Sequence, residues 1–101
     1  MPLMRYTPHM AVRFYIDADT GLPHILRHNV DEDEVEAVLK SPVEDYAGKE
    51  GARVSVGQTE SGRYLKVIYV PEPQGMFVIT AYELKGKPLA AFRRRQKGRR
   101  A

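Results

Sequence analysis

The chain has 101 residues, 43% of them hydrophobic, and no cysteine. That fits one domain with one modest core, residues 1–101 together, and excludes disulfides, thiolate metal sites and cysteine nucleophiles. The net charge of +3 hides an asymmetry: residues 1–83 hold 8 Lys/Arg against 13 Asp/Glu, whereas residues 84–101 hold 8 Lys/Arg and no acid. The basic end suggests an anionic partner such as nucleic acid, the alternatives being a solvated tail or one folded back on the acidic part of the chain.

Residues 1–9 carry two prolines and no periodicity, and read as a loose lead-in. With no apolar run near the roughly 18–20 residues of a membrane span, and no apolar signal-peptide centre in MPLMRYTPHMAVRF, a soluble cytoplasmic protein with no membrane partner is expected. Met10 to Ile16 reads as a short strand, with Val12, Phe14 and Ile16 alternating against Arg13 and Tyr15. Asp17-Ala18-Asp19-Thr20-Gly21 is turn chemistry; it lacks the closing Glu of a calcium loop.

Pro23 to His28 reads as a short helix with Ile25 and Leu26 inward and His24, Arg27 and His28 nearer the surface. The next helix has a clear start. Asp31 is an N-cap, Glu34 completes a capping box, and Val30 can staple onto Val35. Val35, Val38 and Leu39 form its apolar stripe, and Ser41-Pro42 ends it. Val43 to Gly51 reads as a polar connection.

Arg53 to Glu83 reads as an antiparallel meander of RVSVGQ, RYLKVIYV and MFVITAYE. Gly62 marks the first turn, and Pro71, Pro73 and Gly75 mark the second. Arg63, Leu65, Val67 and Tyr69 alternate with Tyr64, Lys66, Ile68 and Val70, so the sheet is apolar on both faces and both must be covered. A last helix is expected near Lys87 with Pro88 at its first position, and residues 98–101 are expected to fray. The layout is β-α-α-β-β-β-α, a small α+β domain with a mainly antiparallel sheet.

Three segments carry a family resemblance. FYID followed by ILRHNVDEDEVEAVL resembles an aromatic-Asp strand end and a Lys-His-Gly-Val helix start, here Arg27-His28-Asn29-Val30. VSVGQTESGRYLKVIYV resembles a first hairpin, including Gly57, Gly62, Arg63 and Tyr69. FVITAYEL followed by a basic helix resembles a last strand and C-terminal helix. From about Phe14 to Arg95 the chain thus resembles the BrnT family, toxins of bacterial toxin–antitoxin pairs with the RelE-like ribonuclease fold. In two places it departs. Tyr82 stands where the family's Ile-Ser-Ala-Arg run has arginine, and Leu89, Ala90 and Ala91 precede the arginines of the last helix.

The resemblance implies an endoribonuclease whose partners are RNA and a small antitoxin protein. Attack by the RNA 2′-OH on the adjacent phosphate needs a base, an acid and cations about the phosphorus. No acidic cluster suits a two-metal nuclease, so a metal-independent route with no cofactor is expected. His28, Arg63, Tyr69 and Tyr82 are the catalytic candidates. Arg53, Lys66, Arg93 and Arg94 are the RNA phosphate-binding candidates. Each has a plainer reading: a structural histidine at a turn, a hairpin arginine, core tyrosines, a snorkelling lysine and solvated charge. A non-catalytic module of the same fold that binds protein or nucleic acid is the alternative function. His28 or Tyr82 close to Arg63, Arg53 or Arg93 would favour the enzyme; these residues on separate faces would favour the module.

Overall fold

Both faces of the central hairpin are apolar, and the chain covers them with different elements. The computed structural model describes residues 11–100, with the backbone alone at Arg100. The expected lead-in and the start of the first strand at Met10 lie outside the described residues. In chain order come β1 (Ala11–Phe14), a 3-10 helix (His24–His28), α1 (Glu32–Lys40), β2 (Glu44–Ala47), β3 (Arg53–Gln58), β4 (Tyr64–Glu72), β5 (Gly75–Glu83) and α2 (Gly86–Arg100). The five strands form one sheet in the order β1-β5-β4-β3-β2. The protein is a small α+β domain with a mixed sheet, because β1 runs parallel to β5 while the other pairs are antiparallel.

Four features differ from the sequence reading. The polar connection after α1 contains a strand, β2, paired with β3 from Glu44↔Val56 to Ala47↔Arg53. Its acidic EDYA sequence has no strand signal of its own; tertiary partners for Glu44 and Asp45 supply the stability that local preference does not. Next, β4 runs on through Pro71 to Glu72, so the turn into β5 is at Pro73-Gln74. The β3 ladder has ended at Arg53↔Tyr69, leaving an open edge that tolerates a residue without an N–H. A bulge between Ile68 and Tyr69 shifts the register against β5. Finally, α2 starts at Gly86 and continues through Gly98 to Arg100 instead of fraying.

One sheet face carries α1 and the 3-10 helix. Leu65, Val67, Tyr69, Val78 and Ala81 pack there against Ile25, Val30, Val35, Val38 and Leu39. Asp31 caps α1 as the sequence predicts: its side chain accepts from the Glu34 amide, and Glu34 returns a bond to the Asp31 amide. Gly75 is required where β1 meets β5, since a Cβ there would collide with the Ala11 carbonyl.

The opposite face carries α2. Phe92 and Leu84 pack on Val54 and Val56, with Tyr64, Ile68 and Leu89 around them. A polar latch completes this contact. The Glu44 side chain is only 4% exposed. It accepts from Arg95 Nε at 2.9 Å, Arg95 NH2 at 2.9 Å and Gln96 Nε2 at 2.8 Å. The Arg95 hydrogen bonds, working against burial, hold the Glu44 carboxyl below its usual range.

A carboxylate with a depressed folded pKa stabilises the fold above its unfolded value, about 4.3, and that contribution disappears as pH falls through the folded value. Arg95→Met should cost about 3 kcal/mol at pH 7, because it strands a buried charge. Urea unfolding at pH 7 and pH 3 checks this: the gap between wild type and Arg95→Met should shrink at the lower pH.

Candidate functional site

The 3-10 helix sits beside the edge of β5 that β1 leaves uncovered. β1 ends its ladder at Phe14↔Val78, and the chain then hooks back. The Tyr15 amide donates to the Val78 carbonyl at 2.8 Å, and the His24 amide donates to the Tyr15 carbonyl at 2.9 Å. An isolated bridge joins Ile16 to Pro23. Asn29 closes the helix in the left-handed conformation, φ 62°, which asparagine tolerates.

This hook sets four rings in a row. Tyr15 and His24 have centroids 6.0 Å apart, His24 and His28 5.2 Å, and His28 and Tyr82 6.1 Å, all edge to face. At one end His24 Nδ1 lies 3.1 Å from Asp17 Oδ1, and Arg27 Nε donates to Asp17 Oδ2 at 2.6 Å. Arg27 also donates to Asp19. Burial pushes the Asp17 carboxyl up, but the bonds from Arg27 and His24 outweigh it and hold the pKa below the usual value. With Nδ1 donating to Asp17, the free ring nitrogen of His24 is Nε2.

At the other end, Tyr82 is the register partner of Lys66 on β4, which in turn pairs with Val56. Paired residues share a face, so Lys66 lies on the α2 side, where Val56, Ile68 and Tyr64 are apolar neighbours. Lys66 is half-buried, and no carboxylate among the described residues lies within ion-pair distance of it.

Other predicted site residues are engaged inside the fold. Arg63 donates to Glu34 Oε2 at 2.8 Å, to Glu83 Oε1 at 3.3 Å and to the Asn29 carbonyl at 3.1 Å. It therefore ties α1, β5 and the end of the 3-10 helix together. It touches the residues that follow His28 and Tyr82, but from the α1 face. Tyr69 is buried, and its hydroxyl donates to Asp45 Oδ2 at 2.6 Å. Ser55 donates to the same oxygen at 2.5 Å, and Arg53 Nε to Asp45 Oδ1 at 2.7 Å. Burial works to raise the Asp45 pKa, and these three donors outweigh it. Burial, with Asp45 beside it, pushes the Tyr69 phenol up. Arg93 and Arg94 are exposed on α2.

So His28 and Tyr82 come together, joined by His24 and Asp17, which the sequence reading placed in a surface helix and a turn. Arg63 reaches their neighbours Asn29 and Glu83 but is held there by Glu34 and Glu83 on the α1 face, while Arg53 is bound to Asp45 and Arg93 is exposed on α2. The His24–Asp17 contact had only a faint signal: two polar residues flanking the turn glycine Gly21. No helix among the described residues is long and apolar enough to cross a membrane.

Residues 24–83 match the DUF4258 family model, a domain of unknown function. The chain belongs to the DUF4258 family. No curated protein and no solved structure matches the chain. The DUF4258 match begins at His24 and ends at Glu83, so His24, His28, Arg63, Lys66 and Tyr82 fall inside it. Asp17 and α2 fall outside.

Two substitutions separate scaffold from surface. Arg63→Met should lower stability by about 2 kcal/mol, since it removes charged hydrogen bonds to three elements, and Tyr69→Phe by about 1 kcal/mol. Urea midpoints measure both. Tyr69→Phe should leave any RNA cleavage intact, because its hydroxyl is spent on Asp45.

Proposed function

We propose that this DUF4258 chain is a metal-independent endoribonuclease of the BrnT-like, RelE-like toxin class, acting in the cytoplasm and restrained by a small antitoxin protein. The observation that carries this reading is the contiguous row of Asp17, His24, His28 and Tyr82 with Lys66 beside it. Asn29 adds support: it stands where the resembled motif has glycine and takes the left-handed conformation that glycine adopts most easily.

In this reading His24 Nε2 removes the proton of the RNA 2′-OH, while Asp17 fixes the ring's tautomer and balances the charge it gains. The freed 2′-oxygen bonds to phosphorus. The bond from phosphorus to the 5′-oxygen breaks, and His28, in its protonated form, gives that oxygen a proton. The products are a 2′,3′-cyclic phosphate and a 5′-hydroxyl. Lys66, the register partner of Tyr82, takes the role expected of Arg63 as the cation for the phosphate oxygens. Tyr82 packs its ring on His28 and offers a face to a base.

A second reading rests on its own observation. Arg53, Arg63 and Tyr69 are committed to internal partners, which leaves fewer free groups than a ribonuclease site was expected to have. The domain would then be a non-catalytic module that binds RNA or protein through the same surface.

Purified protein incubated with single-stranded RNA in excess EDTA separates the two. Cleavage to cyclic-phosphate ends, with His24→Ala and His28→Ala each lowering the rate by about 10²–10⁴-fold, is the expected result. Intact RNA at low salt, together with unimpaired growth on induced expression, would remove catalysis and leave the binding module.

A further inference from the structure

α2 does more than cover apolar surface. Between it and the sheet runs a groove of about 650 Å3, lined by Val43, Tyr64, Phe92, Arg93, Gln96 and Lys97. Arg93 and Lys97 lie four residues apart, so they project from one side of the helix. Both are exposed, and neither has a carboxylate within ion-pair distance among the described residues. The neighbouring Arg95 is different, being consumed by Glu44. No acid lines the groove. Its floor is apolar and aromatic: Phe92 is buried, Tyr64 packs against it with centroids 5.1 Å apart, and Val43 is exposed at the rim.

The groove also has a direction. Tyr64 and Lys66 are two residues apart on β4 and so share the α2 face, about 7 Å from one another along the strand. Lys66 is the register partner of Tyr82, which meets His28. A chain of cationic and aromatic groups thus leads from the histidine row through Tyr82, Lys66 and Tyr64 to Arg93 and Lys97.

From this geometry we infer that the α2 groove is a nucleotide-binding subsite, with a phosphate on Arg93 and Lys97 and a base or ribose against Tyr64 and Val43. The subsite deepens the ribonuclease reading by fixing where single-stranded RNA leaves the histidine row, yet its binding can be measured without cleavage. The ligand is either a terminal nucleotide or an internal nucleotide of a longer strand; the chemistry recognised is the same.

The test uses the full chain carrying His24→Ala and His28→Ala, so that RNA stays intact. Binding of a labelled twelve-nucleotide single-stranded RNA is followed by fluorescence anisotropy across a salt series, and AMP is added as competitor. In that background Arg93→Ala/Lys97→Ala is compared with Lys40→Ala/Lys49→Ala, which removes the same charge from residues that do not line the groove. The groove pair should weaken binding at least about tenfold and flatten the log–log salt slope by about 0.7, the value for one phosphate neutralised on a single strand. The control pair should change affinity less than about twofold. Amide shifts on adding the RNA should centre on Val43, Tyr64 and residues 92–97. Displacement by AMP assigns the groove to a terminal nucleotide, and RNA binding without AMP displacement assigns it to an internal one. Equal losses from the two pairs, or shifts centred elsewhere, would overturn the subsite. Groove binding as expected, with no cleavage by the chain that keeps both histidines, would overturn the catalytic reading alone. Equal losses from the two pairs, with cleavage by the chain that keeps both histidines, would overturn the subsite alone.

Discussion

β4 cannot be left bare on either side, and that constraint shapes the whole domain. Leu65, Val67 and Tyr69 face one way while Tyr64 and Ile68 face the other, so the strand needs two separate covers. α1 and the 3-10 helix provide the first, and α2 the second. Each cover brings a helix whose own apolar stripe is small, and each is then fastened by a polar tie. Arg63 fastens the first through Glu34 and the Asn29 carbonyl, and Glu44 fastens the second through Arg95 and Gln96. Arginine suits both places because its planar fork meets two oxygens at once and never loses its charge.

The meander, the capped helix and the two-sided sheet are legible in the sequence because their causes are local. Alternation of β-branched and polar residues sets the strands, and Asp31 with Glu34 announces a helix start within four residues. β2 is not legible. Its acids make it look like a loop, and the groups that satisfy them come from β3, β4 and a helix at the far end of the chain. The same reason explains the site. A free arginine and a tied arginine look alike in sequence, so Arg53 reads as a phosphate ligand and Arg63 as a catalytic residue until their carboxylates are placed. The resemblance points to His28, Tyr82 stands where the chain departs from it, and the two do come together. His24 has no such pointer, because its partner, Asp17, sits in a turn that carries no signal for a dyad.

Charge follows this architecture. Several acids of residues 1–83 are used as ties for arginines: Glu34 and Glu83 for Arg63, Asp45 for Arg53, Asp17 for Arg27, Glu72 for Arg13. From α2, Arg95 joins this set through Glu44. Lys87, Arg93, Arg94, Lys97 and Arg99 are exposed, so the helix that covers one face of the sheet also carries positive charge on the outside.

β1 has a consequence of a different kind. Among the described residues it joins the sheet through a four-residue parallel ladder to β5, helped by the Arg13–Glu72 pair, and its partners lie far along the sequence. Such a ladder closes a long loop, and that entropic cost places it among the last parts to form. The hook after β1 hangs Tyr15 and Asp17 from that ladder, next to the histidines. If that strand detaches by itself, amide exchange along Ala11 to Asp17 should be faster than in the meander. Such an opening would release His24 from its carboxylate while the meander stays folded.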